Sequence, residues 1–141
     1  LSTSKKAYFS ARFKLSDATE SDMLLGLTIT DTTAIDGVSD GVFFKKDDGD
    51  TNLDFVVEKD STETATAAVG TVADDTFITA TFFIDPDRSK VYYSINNAAP
   101  VGVVNTNLPD DEELTVTIAV QAGAAAAKSL TVDYVSAIVE R

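Results

Sequence analysis

The sequence has no histidine, no cysteine and no tryptophan among its 141 residues. Each absence removes a chemistry. Without His the commonest general base and metal ligand is missing, and without Cys the readiest nucleophile. The two together leave a zinc site without its usual ligands and exclude a disulfide framework. Loss of Trp takes away the best sugar-stacking ring. No Ser-His-Asp set is available, and no glycine-rich phosphate loop occurs. Long hydrophobic runs are absent too, since none approaches the roughly 20 apolar residues of a spanning helix. These gaps predict no catalytic residue, no cofactor and no membrane partner. They leave the compartment open, because a chain without Cys is indifferent to redox conditions.

What is present is acid. Asp and Glu number 23 against 11 Lys and Arg, a net charge of −12. Nucleic-acid binding depends on neutralising phosphate, and such a surface repels it, so no nucleic-acid partner is expected. High negative charge keeps a protein soluble and limits self-adhesion at high copy number, which suits surface display. With 44% apolar residues the chain can form a full core. Its length fits one domain, 1–141, burying roughly 70% of its unfolded surface.

Period-2 alternation dominates, the mark of half-buried strands. Ala7 to Leu15 puts Ala7, Phe9, Ala11, Phe13 and Leu15 on one face. Met23 to Thr30 puts Met23, Leu25, Leu27 and Ile29 together, while Gly26 opens the other face to a close neighbour. Asp31 to Asp40 reads as a loop. Gly41 to Lys46 and Leu53 to Lys59 form a hairpin around Asp47-Asp48-Gly49-Asp50, and Thr64 to Val69 reads as an edge strand. Thr76 to Asp85 is expected to be the longest strand, with Ile78, Ala80, Phe82 and Ile84 on one side. Lys90 to Ile95, a turn at Asn96-Asn97, Pro100 to Val104, Leu114 to Gln121 and Leu130 to Val139 follow. Any helical turn is expected near Ala124 to Ala127. The fold class is all-β, a two-sheet antiparallel sandwich, with Phe9, Phe13, Leu25, Leu27, Phe77 or Phe82, Ile118, Val132 and Tyr134 largely buried.

The segments Phe9–Phe13, Gly26–Asp31, Gly41–Phe44, Phe77–Asp85, Lys90–Asn96 and Leu130–Val135 resemble, in this order, the concanavalin A-like, laminin-G-like jelly roll. That resemblance implies a first and a last strand running antiparallel side by side, a pairing expected to protect two strands that would otherwise be exposed edges. More narrowly, Asp40–Asp50, Leu108–Leu114 and Ala127–Tyr134 resemble virion-associated proteins of tailed bacteriophages, some of them capsid decoration or cement proteins. The narrower resemblance implies a setting, the virion (capsid) surface. The partners it implies are capsid protein and further copies of the chain as a homo-oligomer.

Three groups of residues are candidates for chemistry. Glu58-Lys59-Asp60-Ser61-Thr62-Glu63 has the Glu-x-Asp-x-x-Glu spacing of laminarinase-type glycosidases, in which paired carboxylates retain configuration. Those enzymes have apolar residues between the acids. Here Lys59, Ser61 and Thr62 read as a solvated turn, so no catalytic residue is assigned. Asp48, Asp50 and Asn52 alternate as oxygen ligands at the start of a calcium loop do, and jelly-roll relatives hold calcium at loop ends. The sixth and twelfth positions are Leu53 and Lys59, not the Gly and Glu of an EF-hand, and an Asp-Gly turn explains the residues without metal. The run Asp110 to Glu113 reads as solvated surface, with a docking patch for a basic partner as the alternative.

Three adjacent aromatic pairs, Phe43/Phe44, Phe82/Phe83 and Tyr92/Tyr93, must each split between the two sides of a strand. The outward ring either is covered or is free to meet a subunit or a sugar. The phage-like resemblance, with the acidic surface and the lack of catalytic residues, implies a non-enzymatic virion structural protein, a capsid decoration or cement protein. The alternative is a carbohydrate-binding, lectin-like module whose partner is a surface glycan.

Overall fold

The computed structural model describes residues 5–104 and 106–141. Among the described residues ten strands form two antiparallel five-stranded sheets, and strand accounts for 57% of those residues. In chain order these are β1 (Ala7–Leu15), β2 (Ser21–Thr28), β3 (Gly41–Lys46), β4 (Asn52–Lys59) and β5 (Thr62–Thr71), with one helical turn, α1 (Ala34–Gly37), between β2 and β3. Then come β6 (Ile78–Asp85), β7 (Lys90–Ile95), β8 (Val101–Val104), β9 (Thr115–Ala122) and β10 (Leu130–Val139). One sheet has the order β10-β1-β6-β7-β8 and the other β5-β4-β3-β2-β9. The first and last strands are antiparallel neighbours, from Ala7 opposite Val139 to Leu15 opposite Leu130.

Alternation drives this assembly, because one face of each strand must leave water. Phe9, Phe13, Phe44, Phe55 and Phe82 are fully enclosed between the sheets. Phe9 and Phe82 stack with centroids 5.0 Å apart, and Phe55 lies 5.8 Å from Phe82. Gly26 is the close approach that its place in β2 suggests. A Cβ there would sit 2.4 Å from the Val42 carbonyl oxygen and 2.5 Å from the Phe43 Cα. The hairpin turns are built as their residues require. Gly49 has φ +80°, and Asn96 and Asn97 have φ 51° and 60°, the left-handed pair that reverses β7 toward β8.

Several expectations are corrected. Tyr134 is 43% exposed, not buried. A bulge in β10 sets Tyr134 opposite Arg12 and Val132 opposite Phe13, leaving Asp133 as the extra residue. That one residue flips the parity, so Val132 stays inward, half-buried, while Tyr134 turns out. Ile118 points inward beside Leu25 yet is 39% exposed, because β9 is the outermost strand of its sheet. Of Phe77 and Phe82 it is Phe82 that is buried; Phe77 lies half-buried under the Arg12 guanidinium, 4.1 Å from the ring centroid.

The longest strands are β5 and β10, at ten residues each, and β6 has eight, since Thr76 closes a turn onto Ala73. The Ala-rich link bends without forming helix. Helical turns arise instead at Pro86–Arg88, as one 3-10 turn, and at Ala34–Gly37, inside the stretch read as loop. There the Asp31 carboxylate accepts the Thr33 N–H at 2.6 Å, and Ile35 and Val38 pack on Leu24, Phe43 and Val56. Finally, pairing with β1 does not remove β10 from the edge of its sheet; it only covers β1.

Candidate functional site

The outer face of the β10-β1-β6-β7-β8 sheet carries an ordered surface. On β1, β6 and β7 the residues alternating with the core positions are Tyr8, Phe83 and Tyr92, each half-buried. Register places them in one line across the sheet: Ile138 faces Tyr8, Tyr8 faces Phe83, Phe83 faces Tyr92, and Tyr92 faces Gly102. Four interstrand gaps of about 4.8 Å make this band roughly 19 Å long. Glycine at 102 lets the Tyr92 ring lie down on β8, because a Cβ there would come within 2.9 Å of the ring.

A second line runs parallel to the first, two residues along each strand. Ser136 faces Ser10, Ser10 faces Thr81, and Thr81 faces Ser94. The Ser10 and Thr81 hydroxyls are 2.8 Å apart, and Ser94 donates to the Ala98 carbonyl at 2.7 Å. On the other flank Asp85 faces Lys90. Asp85 is only 9% exposed, and its Oδ1 is buried with no hydrogen-bond partner among the described residues. Its other oxygen lies 3.5 Å from Nε of the exposed Arg88. A groove of about 500 Å³ runs over Tyr8, Phe83 and Tyr92 between the hydroxyls and Asp85. A shallower hollow of about 290 Å³ continues past Tyr8 and Phe83 to Ile138.

The three aromatic pairs thus divide as strand geometry demands, with different outcomes. Phe82 and Tyr93 point to the core, leaving Phe83 and Tyr92 on the open face. Phe44 is inward as well, but its neighbour Phe43 is covered by Ile35 and Val38. The hydroxyl line and Asp85 were missed in the sequence. A signal was there: Tyr8/Ser10, Thr81/Phe83 and Tyr92/Ser94 repeat one aromatic-hydroxyl spacing of two on three strands.

The Glu58 motif spans a hairpin. Glu58 ends β4 opposite Glu63 on β5, while Asp60 and Ser61 form the left-handed turn beyond them. Lys45 reaches Glu63 at 3.3 Å. Burial, and then the facing Glu63, raise the Glu58 pKa above the ordinary carboxylate range. Of the calcium candidates, the structure brings Asp50 and Asn52 together: Asp50 accepts from the Asn52 backbone N–H and side-chain amide, each at 3.0 Å. These bonds hold the Asp50 pKa low. Asp48 turns away over Gly123. No three acidic side chains gather to hold a metal among the described residues. In the acidic run, Asp110 pairs with the Lys59 ammonium, which holds its pKa down.

No protein-family model and no curated protein sequence matches the chain. Solved structures do. A protein of unknown function from Shewanella oneidensis MR-1 superposes with TM-score 0.64 at 14% identity, over 96% of this chain and 58% of that one. This chain thus spans little more than half of that protein's length. Chicken galectin 2 matches with TM-score 0.57 at 8% identity, over 94% of this chain and 89% of its own. An endo-β-1,4-glucuronan lyase from the fungus Trichoderma reesei matches with TM-score 0.58 at 10% identity, over 94% and 67%. The fold is a galectin-like, concanavalin A-like jelly roll, the β-sandwich class expected from the sequence. These neighbours say nothing of a virion.

Proposed function

We propose that the chain is a glycan-binding module whose site is the outer face of the β10-β1-β6-β7-β8 sheet. The observation that carries this reading is the aromatic band beside a line of hydroxyls. A pyranose has apolar C–H faces and a polar rim. Its faces rest on rings such as Tyr8, Phe83 and Tyr92, and its hydroxyls exchange hydrogen bonds with Thr81 and Ser94, while the buried Ser10 holds the Thr81 hydroxyl from beneath. The unpartnered Asp85 oxygen takes a sugar hydroxyl, relieving a buried acceptor that is costly to leave unsatisfied. A band running across five strands suits a short linear oligosaccharide better than a single sugar. The fold shared with a galectin supports the reading.

The test is titration calorimetry against a panel of neutral and charged oligosaccharides, with and without calcium. Binding to one glycan class is expected, weakened by roughly tenfold or more in Tyr92→Ala, as for other buried aromatic anchors. Far-ultraviolet circular dichroism establishes that the variant is folded. No binding across the panel, or binding unchanged in the variant, overturns the proposal.

A second reading, a bacteriophage capsid decoration protein, rests on the resemblance carried by Asp40–Asp50, Leu108–Leu114 and Ala127–Tyr134 and on the acidic surface. Cryo-electron microscopy of purified particles tests it, and absence of the chain from them ends it.

A further inference from the structure

The two sheets have four edge strands, and three of them carry a device against pairing with another chain. Strand β8 is four residues long. Strand β5 bears Glu63, has an interrupted register and places Ala68 at φ 53°. Strand β10 has its bulge and carries Asp133, paired with Arg12 at 2.6 Å. Short length, charge and bulges are the usual means of blunting an edge. Strand β9 has none of them. Thr115–Ala122 holds no charge and no proline, and it pairs with β2 in unbroken register from Thr115 to Ala122.

Its inward side chains are also uncovered. Val116, Ile118 and Val120 point to the core side beside Leu27, Leu25 and Met23, yet are 42%, 39% and 36% exposed. On the outer face α1 lies against β2 and β9, and among the described residues β2 is the one strand that pairs with β9. In a chain of net charge −12 this edge is both apolar and uncharged.

We propose that β9 is the seam of a homodimer, pairing antiparallel with β9 of a second copy to make one continuous ten-stranded sheet. The strand fits itself. Val116-Thr117-Ile118-Ala119-Val120 is β-branched and apolar at its ends and centre in either direction. A two-fold axis perpendicular to the sheet keeps inner faces inner, so opposite residues must share a face. The register centred on Ile118 meets this condition. Ile118 then faces Ile118 of the second copy, and Val116 faces Val120 of the second copy, as cross-strand apolar pairs that close the open core. The lack of charge on β9 itself lowers the electrostatic cost of bringing two strongly acidic copies together along it.

Sedimentation analysis of the full chain over a dilution series reads the assembly, and oxidation of single-cysteine variants reads the register. The chain has no cysteine of its own, so each introduced thiol reports alone. Opposite residues in an antiparallel pair lie about 4.5–5.5 Å apart at Cα, within disulfide reach. A dimer is expected, with Ile118→Cys cross-linking on oxidation and Val101→Cys, exposed on β8, remaining uncross-linked. Ile118→Lys is expected to raise the dimer dissociation constant by roughly tenfold or more, because it sets two ammonium groups against each other in an apolar seam. A wild-type chain that stays monomeric throughout overturns the proposal. So does a dimer that Ile118→Cys does not cross-link, or that Val101→Cys traps equally well.

Discussion

Glu58 sits at the end of β4 with Glu63 opposite it, Lys45 beside that pair and Asp40 nearby. Burial is the largest influence on its carboxyl, followed by repulsion from Glu63; Lys45 pulls the other way, and Asp40 adds to the rise. The folded chain therefore binds this proton more tightly than the unfolded chain does. Ionisation of Glu58 costs folding stability above its folded pKa, and the cost disappears as pH falls until the group is protonated in both states. Glu58→Gln, which keeps shape and removes charge, is expected to be more stable than wild type at pH 7. The two should be indistinguishable below about pH 4, where an ordinary Glu is itself largely protonated. Urea unfolding at the two pH values checks this. A variant less stable at pH 7 would mean that the attraction of Lys45 outweighs burial.

At the scale of elements, β10 shows what a strand contributes and what its sequence conceals. It covers β1 along nine paired residues, and Leu130, Val132 and Val135 pack against the core. Deleting Leu130–Arg141 uncovers the backbone of β1 and one side of the Phe9–Phe13 layer, so the shortened chain should lose its cooperative thermal transition. Calorimetry reads the result, and a transition near that of the full chain would show that β10 is dispensable. The succession of strands along the chain was legible because alternation and turn residues such as Asn96-Asn97 are local signals, whereas the pairing of β1 with β10 came from the jelly-roll resemblance. The facing of Tyr134 was not, since an added residue at Asp133 becomes a bulge only when β10 meets β1. Exposure of Ile118 was hidden for a like reason: period 2 tells which way a side chain points, not whether a sheet lies over it. The candidate site was half legible. Paired aromatics announced outward rings, but which rings stay open depended on where Ile35 and Val38 pack, and the alignment of hydroxyls depended on register.

Over the whole molecule, charge of one sign sets the long-range balance. Apart from those of the largely covered Lys128 with Asp17 and Glu20, the ion pairs among the described residues are surface ones: Lys6–Asp87 at 2.8 Å, Lys14–Asp75 at 3.0 Å and Arg12–Asp133 at 2.6 Å all have at least one well-exposed member. Such pairs contribute little individually, and salt screens them. Acidic side chains outnumber basic ones by 23 to 11. Compact folding brings these charges closer than the unfolded chain holds them, so repulsion opposes the fold and, equally, the approach of a second copy. Salt acts on both terms with opposite sign, weakening the few attractive pairs and the more numerous repulsions. At roughly 0.15 M ionic strength the screening length is about 8 Å, short enough to silence most repulsion between separated acids while neighbours in contact still interact. The melting temperature is therefore expected to rise as sodium chloride is increased from a few millimolar to physiological strength, and dimer dissociation to weaken over the same range. Differential scanning fluorimetry and sedimentation in parallel salt series measure the two. A melting temperature that falls with salt would assign the balance to the ion pairs and leave the net charge without a cost to the fold.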